Sequence, residues 1–300
     1  MKFSKYYLSA ITAYIIWGFF SLGLKPLANI ASLDILFHRV FLCVILMVAI
    51  NFLFRKKVIK ETYNEFKSLD KKEKKSIIFL IISGTFLLTA NWFFFIYVMN
   101  HINVKAAGFA YLVCPILTAV FASIILKEKL STLQKVAVAI SFFSCTILAM
   151  SYLKDVVYSL IVGATYALYL VSQRKNTRID KFLMLGIQLF GMACILLPFY
   201  PFYSQPFPTE TNFIIFIPII SVLFTIIPMY LSLYALKEVN SSTVGILIYI
   251  NPIINFFLAV FLFHEKISEM QIVAYSLIMI AVVIFNYSVF AKRKPLVLKM

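Results

Sequence analysis

The chain has 300 residues, of which 62% are hydrophobic, 17% are aromatic and 13% are charged. A soluble domain carries about 25% charged and about 45–50% apolar residues, so this composition excludes a soluble globular protein. The net charge of +16 arises from 28 Lys and Arg residues against 12 Asp and Glu residues. Their positions decide whether this charge indicates a nucleic-acid partner or a membrane topology.

Apolar segments long enough to cross a hydrocarbon core of about 30 Å as helices follow one another along the chain. The alternating pattern of barrel strands is absent, so the segments predict an all-α polytopic membrane protein. The first segment lacks a small-residue cleavage site and is therefore predicted to be a retained helix, not a signal peptide. The ten predicted transmembrane helices are Tyr7–Leu24, Ser32–Phe54, Ile77–Met99, Ala106–Leu126, Leu133–Tyr152, Val156–Gln173, Phe182–Tyr200, Phe213–Leu236, Thr243–Phe263 and Ile272–Phe290.

The basic residues lie almost entirely on one side of the predicted membrane. All but five of the 28 fall in segments that are cytoplasmic if the N-terminus is cytoplasmic, the exceptions being Lys25, Lys105, Lys154, Lys266 and Arg39. This positive-inside pattern predicts that both termini are cytoplasmic. It also explains the net charge without a nucleic-acid partner. The basic segment Arg55–Lys75 is predicted to form a short surface helix against anionic lipid.

The third to fifth spans recur as the eighth to tenth spans at one constant offset. Rare residue types match in this register, which shared hydrophobicity does not explain. The matches include Gly108/Gly245, Pro115/Pro252, Glu128/Glu265, Lys129/Lys266, Ser131/Ser268 and Gln134/Gln271. Five spans precede the second unit, so that unit enters the membrane in the opposite sense. We therefore predict two inverted-topology five-helix repeats, residues 1–153 and 154–300, an arrangement typical of secondary transporters.

Three features of the chain are distinctive: the segment Leu33–Val40 (LDILFHRV), the segment Asn91–Met99 (NWFFFIYVM), and the proline-centred fourth and ninth spans, each followed by a turn with Glu-Lys. In these features the chain resembles the drug/metabolite transporter superfamily, in particular EamA-domain permeases of the RarD (chloramphenicol-sensitive protein) group. The group more often has Glu where this chain has Asp34, and the charge is kept. The resemblance implies ten helices, two inverted EamA units and a bacterial inner-membrane location. The substrates of the group are poorly defined, so the resemblance implies an architecture more than a ligand.

A matching pair of spans interrupted by Gly and Pro is the best sequence indicator of a transport site. Gly108–Pro115 and Gly245–Pro252 form such a pair. Each proline removes a backbone donor and clashes with the carbonyl four residues earlier, which predicts freed carbonyls at Tyr111 and Ile248. The predicted substrate-binding residues are Trp17, Asn91, Tyr111, Pro115, Thr118, Tyr166, Tyr230, Asn251, Pro252 and Asn255. The alternative is that these Asn, Thr and Pro residues only join helices.

Arg39 lies about seven residues, or some 10 Å, inside the second span. A charged residue at mid-helix costs about 2.5–3.5 kcal/mol on insertion scales, so Arg39 is expected either to clamp neighbouring helices or to contact substrate or a gate. Asp34 and His38 are four residues apart on one helix face, and together with Arg39 they form a predicted structural or gating cluster. No Asp or Glu lies near a midplane, which favours neutral, zwitterionic or aromatic solutes over organic cations.

These observations predict a secondary transporter that moves a small organic solute by alternating access, as a monomer or homodimer. The alternative is a membrane-embedded scaffold or assembly factor. Three scattered histidines and no nucleotide-binding loop give no indication of an enzyme. The four cysteines have no paired spacing, so neither a disulfide nor zinc ligation is indicated. No metal or other cofactor is expected.

Overall fold

The computed structural model describes residues 4–101, 104–150, 153–262 and 269–291, and their regular elements are all helices. The α-helices are α1 (Lys5–Gly18), α2 (Phe20–Leu24), α3 (Ser32–Phe54), α4 (Lys56–Ser68), α5 (Lys71–His101), α6 (Val104–Ile125), α7 (Thr132–Met150), α8 (Leu153–Lys175), α9 (Lys181–Leu196), α10 (Tyr200–Tyr203), α11 (Thr211–Ser221), α12 (Ile227–Ala235), α13 (Ser241–Leu247), α14 (Ile250–Phe261) and α15 (Glu269–Ala291). Short 3₁₀ segments cover Lys25–Leu27 and Leu197–Phe199, and a π-helical segment covers Val222–Ile226.

Several helical segments are long and apolar enough to cross a membrane. In the part of the chain that the structure describes, six meet this criterion, namely Lys5–Leu27, Ser32–Phe54, Lys71–Val98, Lys181–Tyr203, Thr211–Ala235 and Ser241–Leu258. Shorter apolar helices are Ala110–Ile125, Thr132–Ile147 and Ile272–Tyr287. Large apolar side chains such as Phe79, Ile82 and Phe86 remain exposed on the outside of the bundle, as expected where lipid is the solvent. The protein is therefore an all-α multi-pass membrane protein.

Four of the predicted spans are interrupted in the structure, although the sequence predicts each of them as one continuous helix. The first is broken at Phe19, between α1 and α2, and the 3₁₀ segment with Pro26 directly follows it. The seventh contains the 3₁₀ segment Leu197–Phe199, with Pro198 near its start. The eighth changes to π-helix four residues after Pro218. The ninth breaks at Ile248–Tyr249, shortly before Pro252. Proline removes one backbone donor and pushes away the preceding turn, which accounts for breaks beside these prolines.

The predicted surface helix in the basic segment is confirmed as α4. It buries none of its residues, and basic side chains make up much of its surface. Near its end, Phe66 packs against the bundle beside Ile179 and Met184, and Glu65 forms an ion pair with Arg178. An exposed basic helix of this kind is suited to lie on an anionic lipid surface.

The bundle is held together by helices from the first half of the chain packing on helices from the second half. The most extensive pairs are α6 with α8, α7 with α15, α5 with α8 and α1 with α12, and α13 crosses α6. Tyr14, Tyr169 and Tyr249 are fully buried among these helices. Cys43, Cys114 and Cys145 are buried free thiols, whereas Cys194 is exposed.

Candidate functional site

A cavity of about 270 Å³ lies between α1, α2, α3, α5, α6, α8, α14 and the π-helical segment with α12. Aromatic and aliphatic side chains form most of its wall, and a few polar groups interrupt them. The wall consists of Tyr14, Trp17, Phe20, Ser21, Leu24, Arg39, Asn91, Trp92, Phe95, Tyr111, Tyr166, Phe224, Thr225, Met229, Ile248, Asn251 and Asn255. Ligand pockets typically enclose about 300–1,000 Å³, and an apolar cavity of about 150 Å³ accommodates benzene. The space therefore fits a solute about the size of one substituted aromatic ring.

Six of the ten predicted binding residues lie on this wall, although they come from five different helices. Trp17 is on α1, Asn91 on α5, Tyr111 on α6 and Tyr166 on α8, while Asn251 and Asn255 are on α14. Their role in substrate binding stays a prediction.

Trp17 links α1 to the π-helical segment. Its indole Nε1 donates a 2.8 Å hydrogen bond to the carbonyl oxygen of Phe224. A π-helical turn shifts the regular hydrogen-bond register, which leaves backbone groups available for such contacts. The Trp17 ring also meets Tyr166 edge-on, with 6.2 Å between ring centroids, and lies 5.6 Å from Tyr14. The indole is thereby fixed in position at the cavity wall.

The asparagines on the wall are held by hydrogen bonds. Asn91 Nδ2 donates to the carbonyl oxygen of Val162 at 2.8 Å, which joins α5 to α8. Asn255 Nδ2 donates to Asn251 Oδ1 at 2.6 Å, one helical turn away. These amides are therefore oriented polar groups on an otherwise apolar wall.

Arg39 also lies on the cavity wall, and its guanidinium stacks on aromatic rings. The guanidinium carbon is 4.2 Å from the ring centroid of Trp92 and 5.9 Å from that of Phe20. Its buried Nε has no hydrogen-bond partner, and within the described ranges no salt bridge involves Arg39. A desolvated cation–π contact contributes about 2 kcal/mol, which offsets only part of the ~2.5–3.5 kcal/mol cost of the charge at that depth.

The structure separates Arg39 from Asp34 and His38, whereas His38 Nδ1 lies 2.8 Å from the Asp34 carbonyl oxygen. A structural or gating role for the three residues stays a prediction. The Asp34 carboxylate accepts hydrogen bonds from Ser204 Oγ at 2.7 Å and from the Gln205 amide at 3.1 Å. His38 packs edge-on against Phe213 and lies within 3.4 Å of the Tyr200 hydroxyl. Successive helix residues point about 100° apart, so Arg39 faces the cavity. Asp34 instead contacts the segment after α10, and His38 contacts α10 and α11.

Thr118 and Pro115 are buried but lie away from the cavity wall, contrary to expectation. Tyr111, Pro115 and Thr118 lie on one face of α6. Tyr111 lies on the cavity wall, but further along the helix α6 packs against α13. A Cβ atom added at Gly245 would lie only 2.6 Å from Thr118 Cγ2, so the two helices cross closely there. The Thr118 hydroxyl donates to the Cys114 carbonyl oxygen at 2.8 Å. Thr118 therefore closes one end of the cavity instead of lining it.

Pro252 and Tyr230 are also absent from the wall. The carbonyl oxygen of Ile248, predicted to be freed by Pro252, accepts a 3.0 Å hydrogen bond from the Asn251 amide. Tyr230 packs edge-on against Phe182 and lies beside Tyr234. Its neighbour Met229 takes the wall position, because successive residues point to different sides of the helix.

Several wall residues were not singled out from the sequence, among them Tyr14, Phe20, Trp92, Phe95 and Thr225. With 31 Phe and 17 Tyr residues in the chain, an individual aromatic residue carries little information. A usable signal existed for Thr225, which lies between Pro218 and Pro228 in an apolar span. The sequence also contained a signal for Trp92, because this residue directly follows Asn91 and is one of only two tryptophans.

The end of the bundle that the basic residues assign to the cytoplasm is closed by polar contacts. The Glu128 carboxylate accepts hydrogen bonds from the Ser241 amide at 2.8 Å, the Ser242 amide at 3.1 Å and the Ser242 hydroxyl at 2.6 Å. Arg174 donates to the Lys237 carbonyl oxygen at 2.7 Å and also to that of Leu236.

An ion pair closes the same end between α3 and α9. Arg55 Nη1 lies 3.0 Å from Asp180 Oδ1. Partial burial alone would raise the pKa of Asp180, but hydrogen bonds from Arg55 and from the Leu183 amide outweigh it and hold the pKa below its ordinary value. Asp180 is therefore ionised at neutral pH, and the ion pair is maintained.

Comparison with known proteins identifies the family to which the chain belongs. The model of the EamA-like transporter family matches residues 4–150 and again residues 153–287. The chain belongs to this family and is thus a membrane transporter. It is 30% identical to the uncharacterized transporter YojE of Bacillus subtilis, over 92% of this chain and 91% of that protein. It is 24% identical to the protein RarD of Escherichia coli, over 93% of this chain and 92% of RarD.

The resemblance to RarD-type permeases is thereby confirmed. The fold is also similar to that of a protein of known crystal structure, with a TM-score of 0.73 over 98% of this chain and 100% of that chain. The two sequences are only 15% identical, so this likeness concerns the fold alone.

Proposed function

We propose that the protein is a secondary transporter that moves a small organic solute across the bacterial inner membrane by alternating access. The observation that carries this proposal is the central cavity, which is closed towards one end of the bundle. Thr118 packs on Gly245 at the closed end, whereas its repeat equivalent Asn255 lies on the cavity wall. A transporter with one side closed should show this difference between equivalent residues.

The proposed architecture is ten helices in two inverted units, with both termini in the cytoplasm. Helix contacts support it, because the packing of α1 on α12 has its counterpart in that of α8 on α5. The contacts of α7 with α15 and of α6 with α13 each join equivalent spans of the two halves. The two separate matches of the family model also fit two units.

The inverted topology can be tested with single cysteines in a Cys194→Ser background, in which the remaining described cysteines are buried. Ser131 and Ser268 are equivalent under the repeat, and Ser268 lies outside the described residues. We expect Ser268→Cys to react with an impermeant thiol reagent in intact cells and Ser131→Cys to react only after permeabilisation. Equal labelling of both sites in intact cells would contradict inverted units.

Transport itself can be tested by solute counterflow in proteoliposomes, with and without a pH gradient. Asn255→Trp places a large ring in the cavity and should abolish counterflow. Phe257→Trp is the matched control, because Phe257 lies two residues away on the same helix and is 45% exposed. Normal counterflow in Asn255→Trp would refute the cavity as the transport site.

A membrane scaffold is the alternative function. A scaffold needs a packed core and a recognition surface, whereas oriented polar groups around an internal space favour a solute site. The relatives compared above are named transporters or RarD proteins, which is consistent with a chain that is not an enzyme. Transport without any protein partner in proteoliposomes would exclude the scaffold function.

A further inference from the structure

We infer that the cavity selects solutes that carry one carboxylate group, bound by Arg39, on an apolar body about the size of one aromatic ring. This inference rests on the proposed transport function and narrows its substrate class. The sequence alone is compatible with neutral, zwitterionic and aromatic solutes. The structure distinguishes among them, because it places Arg39 on the wall of the cavity.

The charge balance of the cavity requires an anion. Arg39 is permanently protonated, and the described wall residues include no Asp or Glu. The nearest acidic side chain on its own helix, Asp34, is occupied by Ser204 and Gln205. A buried cation is normally paired with an anion or an acceptor group, and here the bound solute would supply it.

The number of charges points to a single carboxylate. One guanidinium neutralises one negative charge, whereas a phosphate monoester carries about −1.5 to −2 at neutral pH. The planar guanidinium also matches a carboxylate with two parallel hydrogen bonds. Its stacking on Trp92 at 4.2 Å occupies a face of the guanidinium and leaves the donors at its edge free to bind.

Additional unpaired polar atoms occur around the same space. The hydroxyl groups of Tyr14, Ser21 and Tyr166 are buried and have no hydrogen-bond partner in the described part of the structure. All three residues line the cavity, and Tyr14 and Tyr166 are 0% and 5% exposed. Buried polar groups are nearly always satisfied, so a polar ligand is expected beside them. The surrounding rings of Trp17, Phe20 and Phe95 fit an apolar body.

Intrinsic fluorescence provides a direct binding assay, because the chain has 2 tryptophans and both line the cavity. The full-length protein in nanodiscs would be titrated with benzoate and phenylacetate, and with the neutral amides benzamide and phenylacetamide. We expect the carboxylates to change the fluorescence and the amides to bind roughly tenfold to a hundredfold more weakly. Arg39→Gln should remove this preference, and Arg39→Lys should retain part of it.

Three binding results would overturn the carboxylate site. The first is equal binding of amides and carboxylates to the wild type, and the second is no response of the wild type to either carboxylate. The third is unchanged carboxylate binding in Arg39→Gln. The wild-type comparison remains decisive even if the variant does not fold.

Counterflow of the same probes separates the inference from the proposed function. Carboxylate binding without counterflow would refute transport and leave the carboxylate site in place. Equal counterflow of amides and carboxylates would refute the carboxylate site and leave transport in place.

Discussion

Helices α6 and α13–α14 occupy matching positions in the proposed internal repeat, yet they differ in backbone and in environment. Helix α6 continues through Pro115 without interruption, whereas its counterpart breaks at Ile248–Tyr249 before Pro252. Thr118 on α6 is packed against Gly245, while the equivalent Asn255 lies on the cavity wall. The same sequence signal therefore produces a close crossing in one half and a cavity wall in the other, which is the difference that the proposed alternating access predicts.

Among variants that compare the two helices, the largest effect is expected from removing the proline of the broken helix. Proline within a helix costs about 3 kcal/mol, so Pro252→Ala should favour a straight helix through Ile248–Tyr249 and distort the wall at Asn251. A change of about 3 kcal/mol corresponds to roughly a hundredfold in rate, so we expect counterflow to fall by up to that factor. Pro115→Ala, in the continuous helix, should leave counterflow within about twofold. Equal losses in both variants would show that the difference between the helices is unimportant.

An intermediate effect, on stability, is expected from overpacking the close crossing of α6 with α13. The methyl group of Gly245→Ala would lie 2.6 Å from Thr118 Cγ2 and 2.7 Å from its Cβ. Overpacking of this kind costs about 1–3 kcal/mol, so the thermal unfolding temperature in detergent should drop. Adding Thr118→Gly removes the clashing atoms and should recover part of the loss. A fully stable Gly245→Ala single variant would contradict the close crossing.

A smaller effect is expected from the polar contact at the closed end. Glu128→Gln removes the negative charge beside the start of α13, which is worth about 1 kcal/mol and corresponds to a roughly fivefold shift in equilibrium. A buried Val244→Cys, in a Cys194→Ser background, should then react faster with a thiol reagent from the cytoplasmic side. Glu61→Gln, in an exposed pair with Lys57, is the matched control and should have no effect. Unchanged reactivity in Glu128→Gln would exclude a closing role for this contact.

The sequence predicted the membrane fold and much of the cavity because both depend on local patterns. Long apolar segments identify spanning helices. Tryptophan and asparagine are uncommon in those segments, so Trp17, Asn91 and Asn255 are informative. Thr118 was misplaced because its environment depends on which helix crosses α6, and helical spacing alone does not contain that information. The π-helical segment was missed because its register change has no distinct residue pattern beyond the nearby prolines.

Arg39 is another residue whose role depends on tertiary contacts that the sequence pattern does not contain. Its depth in the second span indicated a function, but its separation from Asp34 and its stacking on Trp92 depend on the tertiary structure. A single sequence could not decide between a helix clamp and a solute contact. The position of the guanidinium on the cavity wall, without a carboxylate partner in the described part of the chain, favours the solute contact.

The most direct test of alternating access is the distance between the two loops at the closed end. Spin labels would replace Lys129, beside Glu128, and Glu238, beside the start of α13, in a Cys194→Ser background; both native side chains are exposed. Pulsed electron resonance on the protein in nanodiscs should give one short distance without solute and a second, longer distance when a transported solute is present. A single unchanged distance in a protein that transports the same solute would contradict the account.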